Sequence, residues 1–214
     1  LVSTHMIYRF GAFDHYDTIL CAGPHHVREI RRAEEIYHLK PKRLVEIGYP
    51  RLDALMEEHR RFQEQAPPPQ GRGTVLIAPS WGAGNILESC SAQALRGLSD
   101  SGFAVVVRPH PEFVKRRPME MERIAREISG IPGARLDLDH ASLHSLHSAD
   151  LLVTDWSGIA MEYAFATERP VLFLDVPRKV NNPRYEELGL VPLEVEIREK
   201  IGRVLPPGRL EELP

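Results

Sequence analysis

Cysteine is scarce in this chain: Cys21 and Cys90 are the two in 214 residues. Set in apolar or helical surroundings, they form no disulfide framework and no metal-binding spacing. They read as small buried hydrophobes in a reducing cytoplasm. Long apolar runs are missing as well. None approaches the roughly 18 residues that span a bilayer, and no secretory leader is visible. Neither sign of charge dominates: the formal net charge is −3, which gives no electrostatic case for nucleic acid as a partner. GxGxxG and the lysine-bearing Walker A loop are absent, which argues against ATP hydrolysis. HExxH is absent too, and no metal or other cofactor is expected.

What is present is an ordinary globular composition, 43% hydrophobic and 27% charged, in a length that suits one large domain or two small ones. The chain opens at Leu1 with no initiating Met and reads as the later part of a longer protein. Histidine is plentiful at ten residues, with His25-His26 and His140, His144, His147 clustered. A helical His140/His144 pair would lie one turn apart, and a solvated helix face accounts for it better than a metal site. Arg28, Arg31, Arg32, Lys40, Lys42 and Arg43 form a basic group that reads either as a membrane-facing surface or as solvated cations interleaved with Glu29, Glu34 and Glu35.

Residues 17–23 read as a buried strand, and Pro24 then opens a helix to about residue 38. A short strand follows at 43–48, and a helix runs to about residue 65. APPPQGRG at 66–73 is the one clear linker, because its prolines favour an extended backbone. The domain division expected from it is 1–65, linker 66–73 and 74–214. Beyond the linker, strands are expected at 74–78, 103–107, 135–138, 151–153 and 171–174. Helices are expected near 86–101, 118–129, 142–148 and 159–166, and the amphipathic tail from Glu194 should add closing helices. Apolar strands alternating with helices indicate an α/β fold with a parallel sheet covered on both faces, a Rossmann-like domain. Such sheets bind ligands at the carboxyl ends of their strands.

Two loops on that edge carry groups suited to a phosphorylated ligand. Thr154-Asp155-Trp156-Ser157-Gly158 ends one strand and opens a helix. Free amides at a helix start favour an anion. Gly158 would admit a phosphate close to the backbone, and Thr154 and Ser157 offer hydroxyls. Ser157 reads equally as a helix cap. Glu162, one turn on, either reaches a sugar or sits on the surface. In the other loop, Arg108-Pro109-His110-Pro111, two prolines stiffen the backbone around His110. A fixed imidazole there can donate to a diphosphate and, when protonated, offset the charge of a leaving group. Arg108 adds a cation or anchors the loop. A third loop, PSWGAGN at 79–85, places Ser80, Trp81 and Asn85 beside the cleft, with Trp81 as a stacking platform for a base or as a hydrophobic lid.

RPHP, SADLLVTDWSGIAMEYAFATERPVLFLD and the earlier IGYPRLD, taken in order, resemble the CDP-glycerol glycerophosphotransferase family, the teichoic-acid primases and polymerases of bacterial envelopes. The similarity runs from about residue 13 to 190. It implies a GT-B architecture, in which a Rossmann-like donor domain is preceded by the remnant of a second Rossmann-like, acceptor-side domain. It further implies that His110 and the Thr154, Ser157, Gly158 loop hold the donor diphosphate, and that Glu162 helps hold the loop or the ribose. CDP-glycerol or a related nucleotide is the implied donor. The implied acceptor is lipid-linked, which would bring a cytoplasmic protein to the inner membrane face. Two departures stand out. Gly158 replaces the second of two adjacent serines. The candidate for the family's acceptor-side catalytic histidine is His5, followed by Met6 where the family has Gly. Similar serine and HP loops occur in nucleotide-sugar epimerases and bacterial sialyltransferases. A nucleotide-sugar enzyme and a non-catalytic donor-binding module are therefore the alternatives.

Overall fold

A computed structural model of the chain describes residues 1–66, 71–82, 84–89, 92–206 and 209. Part of the expected linker (67–70) and Cys90 lie outside them. The chain divides into two compact units, one formed by 1–54 with 179–197 and the other by 55–178 with 198–214.

In the first unit, α1 (Thr4–Ile7) precedes β1 (Thr18–Cys21), α2 (Pro24–Tyr37) and β2 (Arg43–Glu46), and the two strands pair in parallel. Pro24 sits in the first turn of α2, where its missing N–H costs nothing, and His38 closes the helix in the left-handed conformation. β1 alternates exposed and buried residues, so Ile19 and Cys21 face Ile30 of α2. Burial raises the Cys21 thiol above its ordinary range, in keeping with a small hydrophobe. The returning segment is tied back by backbone amides of Asn181 and Asn182 donating to the Met6 carbonyl at 3.0 and 3.2 Å. Arg184 lies over Phe10 and Tyr37, 4.2 and 4.7 Å from the ring centroids.

The helix α3 (Pro50–Gln65) carries the chain into the second unit. There β3 (Thr74–Ile77), α4 (Ile86–Ser89), α5 (Ala92–Asp100), β4 (Ala104–Val107), α6 (Pro111–Arg116), α7 (Pro118–Ser129) and β5 (Ala134–Leu136) follow in turn. Then come α8 (His144–Ser148), β6 (Leu151–Thr154), α9 (Ile159–Thr167) and β7 (Val171–Leu174). A 3-10 turn (Tyr185–Leu188) belongs to the first unit. α10 (Leu193–Ile201) returns the chain to the second unit, which β8 (Gly202–Leu205) completes.

All six strands of the second unit run parallel, in the order β5-β4-β3-β6-β7-β8. This is the expected Rossmann-like α/β fold. The chain winds outward from β3 through β4 to β5, then returns to the other side of β3 as β6, so the order reverses between β3 and β6. That reversal leaves a crevice at the carboxyl ends of these two strands. The inner strands AVVV and VLFL are β-branched, aliphatic or aromatic and buried almost throughout. Their side chains meet Leu95, Leu98, Ile124 and Ile128 from the covering helices.

Three local outcomes differ from the sequence expectation. The single helix expected at 86–101 is two, α4 and α5. The short α6 was not foreseen, although His110 caps it and Pro111 opens it. The tail ends in an edge strand as well as a helix, because GRVL pairs with β7; a Cβ on Gly202 would overlap the Val171 carbonyl, so only glycine permits that approach.

Candidate functional site

Because the strands are parallel, the loops after β4, β3, β6 and β7 lie side by side on one edge. His110, Ser80, Trp81 and the 154–158 segment are thus brought to one edge of the second unit. His110 is half-buried, and its Nδ1 accepts the Glu112 amide at 3.1 Å. An accepting Nδ1 fixes the neutral tautomer, so Nε2 carries the proton and the ring is a hydrogen-bond donor. Trp81 is 38% exposed, its ring centroid 6.3 Å from that of His110, with the Arg116 guanidinium 5.3 Å away.

The neighbouring residues divide between groups turned into the fold and groups left at the edge. Arg108 is buried: Nη1 donates to Asp137 at 2.5 Å and to Ser145 Oγ and the Asp139 carbonyl, both at 3.1 Å. Burial would raise the Asp137 carboxyl, but the bonds from Ser145 and Arg108 outweigh it and hold the group below its ordinary range. Of the two roles open to Arg108, the geometry displays the loop anchor. Thr154 is fully buried and its hydroxyl donates to the Ala78 carbonyl at 2.6 Å, within the sheet. Asp155 is also buried and accepts the amides of Ser80 and Ile86 at 2.8 and 3.2 Å. Asn85 folds its own loop, donating to Gly82 O and accepting from Leu87 N.

Ser157, Gly158 and Glu162 are partly exposed. Ser157 does not cap α9: Gly158 holds the cap position, and no side chain makes the cap bond. Gly158 has φ −61° and ψ −19°, ordinary helical values that any residue adopts, so the backbone does not demand glycine there. Ala160 is the first residue of α9 whose amide meets a backbone carbonyl, that of Ser157 at 3.2 Å.

Two side chains at this edge escaped the sequence reading. The Trp156 indole donates to the Val176 carbonyl at 2.9 Å, with Arg198 4.0 Å and Arg178 5.4 Å from its ring centroid. Burial lowers the Arg198 pKa, while Asp175 and Asp155 oppose that. A tryptophan beside Ser-Gly was the available signal for the first. The second arrives from α10, distant in sequence.

His5 belongs to the first unit, where it lines a pocket with Phe10, Phe13, Glu29 and Lys42. The ring is buried. Nδ1 lies 3.4 Å from Glu29 Oε1, and Nε2 lies 3.2 Å from the Leu190 carbonyl. Glu29 Oε2 also accepts the Thr4 amide and hydroxyl, both at 2.6 Å. Burial would raise the Glu29 carboxyl, yet the His5 and Thr4 bonds hold it down. These contacts join α1 to α2. Of the basic group, Arg31 pairs with Glu34 and Arg32 with Glu35, Lys40 lies 3.8 Å from Asp17, and Lys42 is buried. His140 sits in a turn before α8, so it shares no helical face with His144. Among the described residues, no cluster of three or more His, Cys, Asp or Glu is placed to hold a metal ion, and no helix is long and apolar enough to cross a membrane.

No individually curated protein matches the chain. Among solved structures it is similar to a variant of the wall teichoic acid polymerase TagF, with 17% identity, a TM-score of 0.47 and 96% of the chain covered. A TagF structure soaked with CDPG gives 16% identity and a TM-score of 0.44, covering 92% of this chain and 50% of that one. KpsC of Thermosulfurimonas dismutans, a beta Kdo 2,7 transferase, gives 16% identity and a TM-score of 0.34, covering 64% of this chain and 52% of that one. The chain spans 57% of the length of the first TagF structure. A family model described as CDP-glycerol:poly(glycerophosphate) glycerophosphotransferase matches residues 9–178, and the chain belongs to that family.

Proposed function

We propose that the second unit is the donor-binding part of a transferase that moves glycerol phosphate from CDP-glycerol to an acceptor hydroxyl in envelope-polymer synthesis. The observation that carries the reading is the tautomer of His110. Its Nδ1 accepts the Glu112 amide, which orients the ring at the carboxyl edge of the sheet with Nε2 as the protonated, donating nitrogen. Ser157, whose hydroxyl the helix does not use as a cap, and the first amides of α9 supply further donors on the same edge.

In this reaction the acceptor oxygen attacks the glycerol-bearing phosphorus. The bond from that phosphorus to the bridging oxygen breaks, CMP leaves with the electron pair, and the acceptor proton passes to a base. His110 and the start of α9 hold the diphosphate while negative charge grows on the departing oxygen, so positioning and charge stabilisation supply the catalysis. The fixed tautomer suits His110 to donating rather than to taking the acceptor's proton. His5, enclosed by Glu29 and Leu190 in the first unit, is better suited to holding α1 on α2 than to acting as that base. Trp81 and Glu162 complete the donor site, the one under the base and the other toward the ribose. The acceptor, on this reading, is a lipid-linked polymer at the membrane face.

Melting curves with CDP-glycerol, CMP-sialic acid and UDP-sugars test the donor. A ligand that binds only the folded state raises the melting temperature. A rise with CDP-glycerol alone is expected, and a rise with a UDP-sugar instead would overturn the assignment.

A further inference from the structure

The loop after β3 is closed at its base by a side chain from β6's own end. Asp155 Oδ1 accepts the Ser80 amide at 2.8 Å, and Oδ2 accepts the Ile86 amide at 3.2 Å. One carboxylate, 1% exposed, therefore holds both ends of the segment 80–86. Ile86 is the first residue of α4, so Asp155 stands where a helix cap would, supplied from 69 positions further along the chain. Inside the loop, Asn85 Nδ2 donates to the Gly82 carbonyl at 2.8 Å. Gly82 and Gly84 take φ of +126° and +74°, which side-chain-bearing residues rarely adopt. Trp81 stands on this pinched loop, facing the crevice edge with His110.

We infer that Asp155 is a positioning residue of the donor site. It fastens the loop bearing Ser80 and Trp81 to the strand end that also carries Ser157, so the two sides of the switch-point crevice keep one spacing. Both of its oxygens are engaged by amides, and it acts through the loop without touching the donor. The functional half of this inference rests on the donor site proposed above; the structural half stands without it. The chemistry requires a carboxylate. An asparagine amide would turn an NH2 group toward one of the two backbone N–H groups, donor against donor.

Asp155→Asn, nearly isosteric, is the test, read three ways on the full chain. Amide exchange at Ser80 and Ile86 is expected to quicken by roughly tenfold or more, the scale of a lost charge-assisted hydrogen bond. With 5-fluorotryptophan, the Trp81 fluorine resonance, assigned with Trp81→Phe, is expected to shift. The Kd for CDP-glycerol is expected to rise about tenfold. Ser157→Ala serves as the contrast, weakening the donor while leaving both amides protected. Unchanged exchange at either amide would overturn the clasp. Faster exchange with an unmoved Trp81 resonance or an unchanged Kd would overturn the positioning role. If the wild-type chain binds no CDP-glycerol, the donor reading fails, while exchange and the fluorine resonance still decide whether Asp155 places Trp81. Asp155→Glu, which keeps the charge and lengthens the arm, is expected to move the same readouts in the same direction and replaces the amide variant if that one does not fold.

Discussion

His5 and His110 were both candidates for catalysis, and their surroundings differ in kind. His5 lies in the first unit at 5% exposure, with a carboxylate near one ring nitrogen and a carbonyl near the other. His110 lies at the carboxyl edge of the second unit's sheet, half-buried, with Nδ1 held by the first turn of α6. A buried ring set between a carboxylate and a carbonyl faces acceptors of its own unit. A ring held by one nitrogen at a sheet edge is oriented, and its other nitrogen is a donor of known direction. Sequence context separated them only partly: Pro109 and Pro111 announced rigidity around His110, while nothing near His5 announced Glu29, 24 positions away. The proposed donor role of His110 rests on that rigidity, with one nitrogen committed, and not on burial.

Removing His5 breaks that comparison hardest. His5→Ala deprives Glu29 of its ring partner and leaves a buried carboxylate with the two Thr4 bonds alone. A loss of about 3 kcal/mol in unfolding free energy is expected. Denaturant titration measures it, and an unchanged midpoint would show that the pair is dispensable. His110→Asn inverts the pattern. Asparagine preserves a cap acceptor for the Glu112 amide while removing Nε2–H from the edge. Stability should hardly move, while kcat/KM should fall roughly a hundredfold or more, about 3 kcal/mol of charge stabilisation. A near-normal rate in that variant would remove His110 from the mechanism.

A third histidine setting sharpens the contrast through pH. In the second unit His59 is 4% exposed, its ring centroid 5.5 Å from that of His147, and neither of its ring nitrogens has a hydrogen-bond partner among the described residues. Burial first, then the Arg169 and His147 charges, holds His59 below the ordinary imidazole range. Burial likewise lowers His147, against the pull of Glu58 at 3.5 Å, with His144 and Arg169 adding to the depression. The folded rings therefore stay neutral where unfolded ones bind protons. Stability from these sites is complete above about pH 6.5, the unfolded value, and is lost as pH falls below it. Urea midpoints at pH 7.5 and 5.5 should show the drop, and His59→Phe, beside Phe62, should flatten it. An equal slope in wild type and variant would assign the pH dependence to other groups.

The strands of the second unit were legible because TVLI, AVVV, LLVT and VLFL are apolar on both faces, as a covered parallel sheet requires. β8 was hidden: GRVL is half polar, as an edge strand can be, and its glycine signals a close approach only once Val171 is in place. The position of the edge loops was legible as a set, because each follows an apolar strand of one parallel sheet. The division of labour within them was not. Thr154 and Asp155 looked like ligands beside Ser157, yet their partners, Ala78 and the amides of Ser80 and Ile86, lie 69 to 76 positions away. Local sequence shows that a group can make hydrogen bonds; only the fold shows which are already made.

Ser157 and Gly158 offer the finest probes of the same distinction. Since Ser157 does not cap α9, Ser157→Ala should leave the melting temperature alone and weaken CDP binding by about tenfold, the worth of one hydrogen bond to a charged group. A fall in stability with unchanged affinity by calorimetry would make it a structural residue after all. Gly158→Ser carries the smallest expected effect. At φ −61° the position accepts a side chain without strain, and serine is a favoured cap where glycine is only a fair one, so stability should hold or rise by a few tenths of a kcal/mol. The added hydroxyl would restore the paired serines of the resembled family beside the first amides of α9. If the donor diphosphate lies there, calorimetry should register equal or tighter CDP binding. If the new side chain lowers affinity instead, glycine is present for the close approach of the ligand, and the phosphate sits against the backbone rather than against hydroxyls.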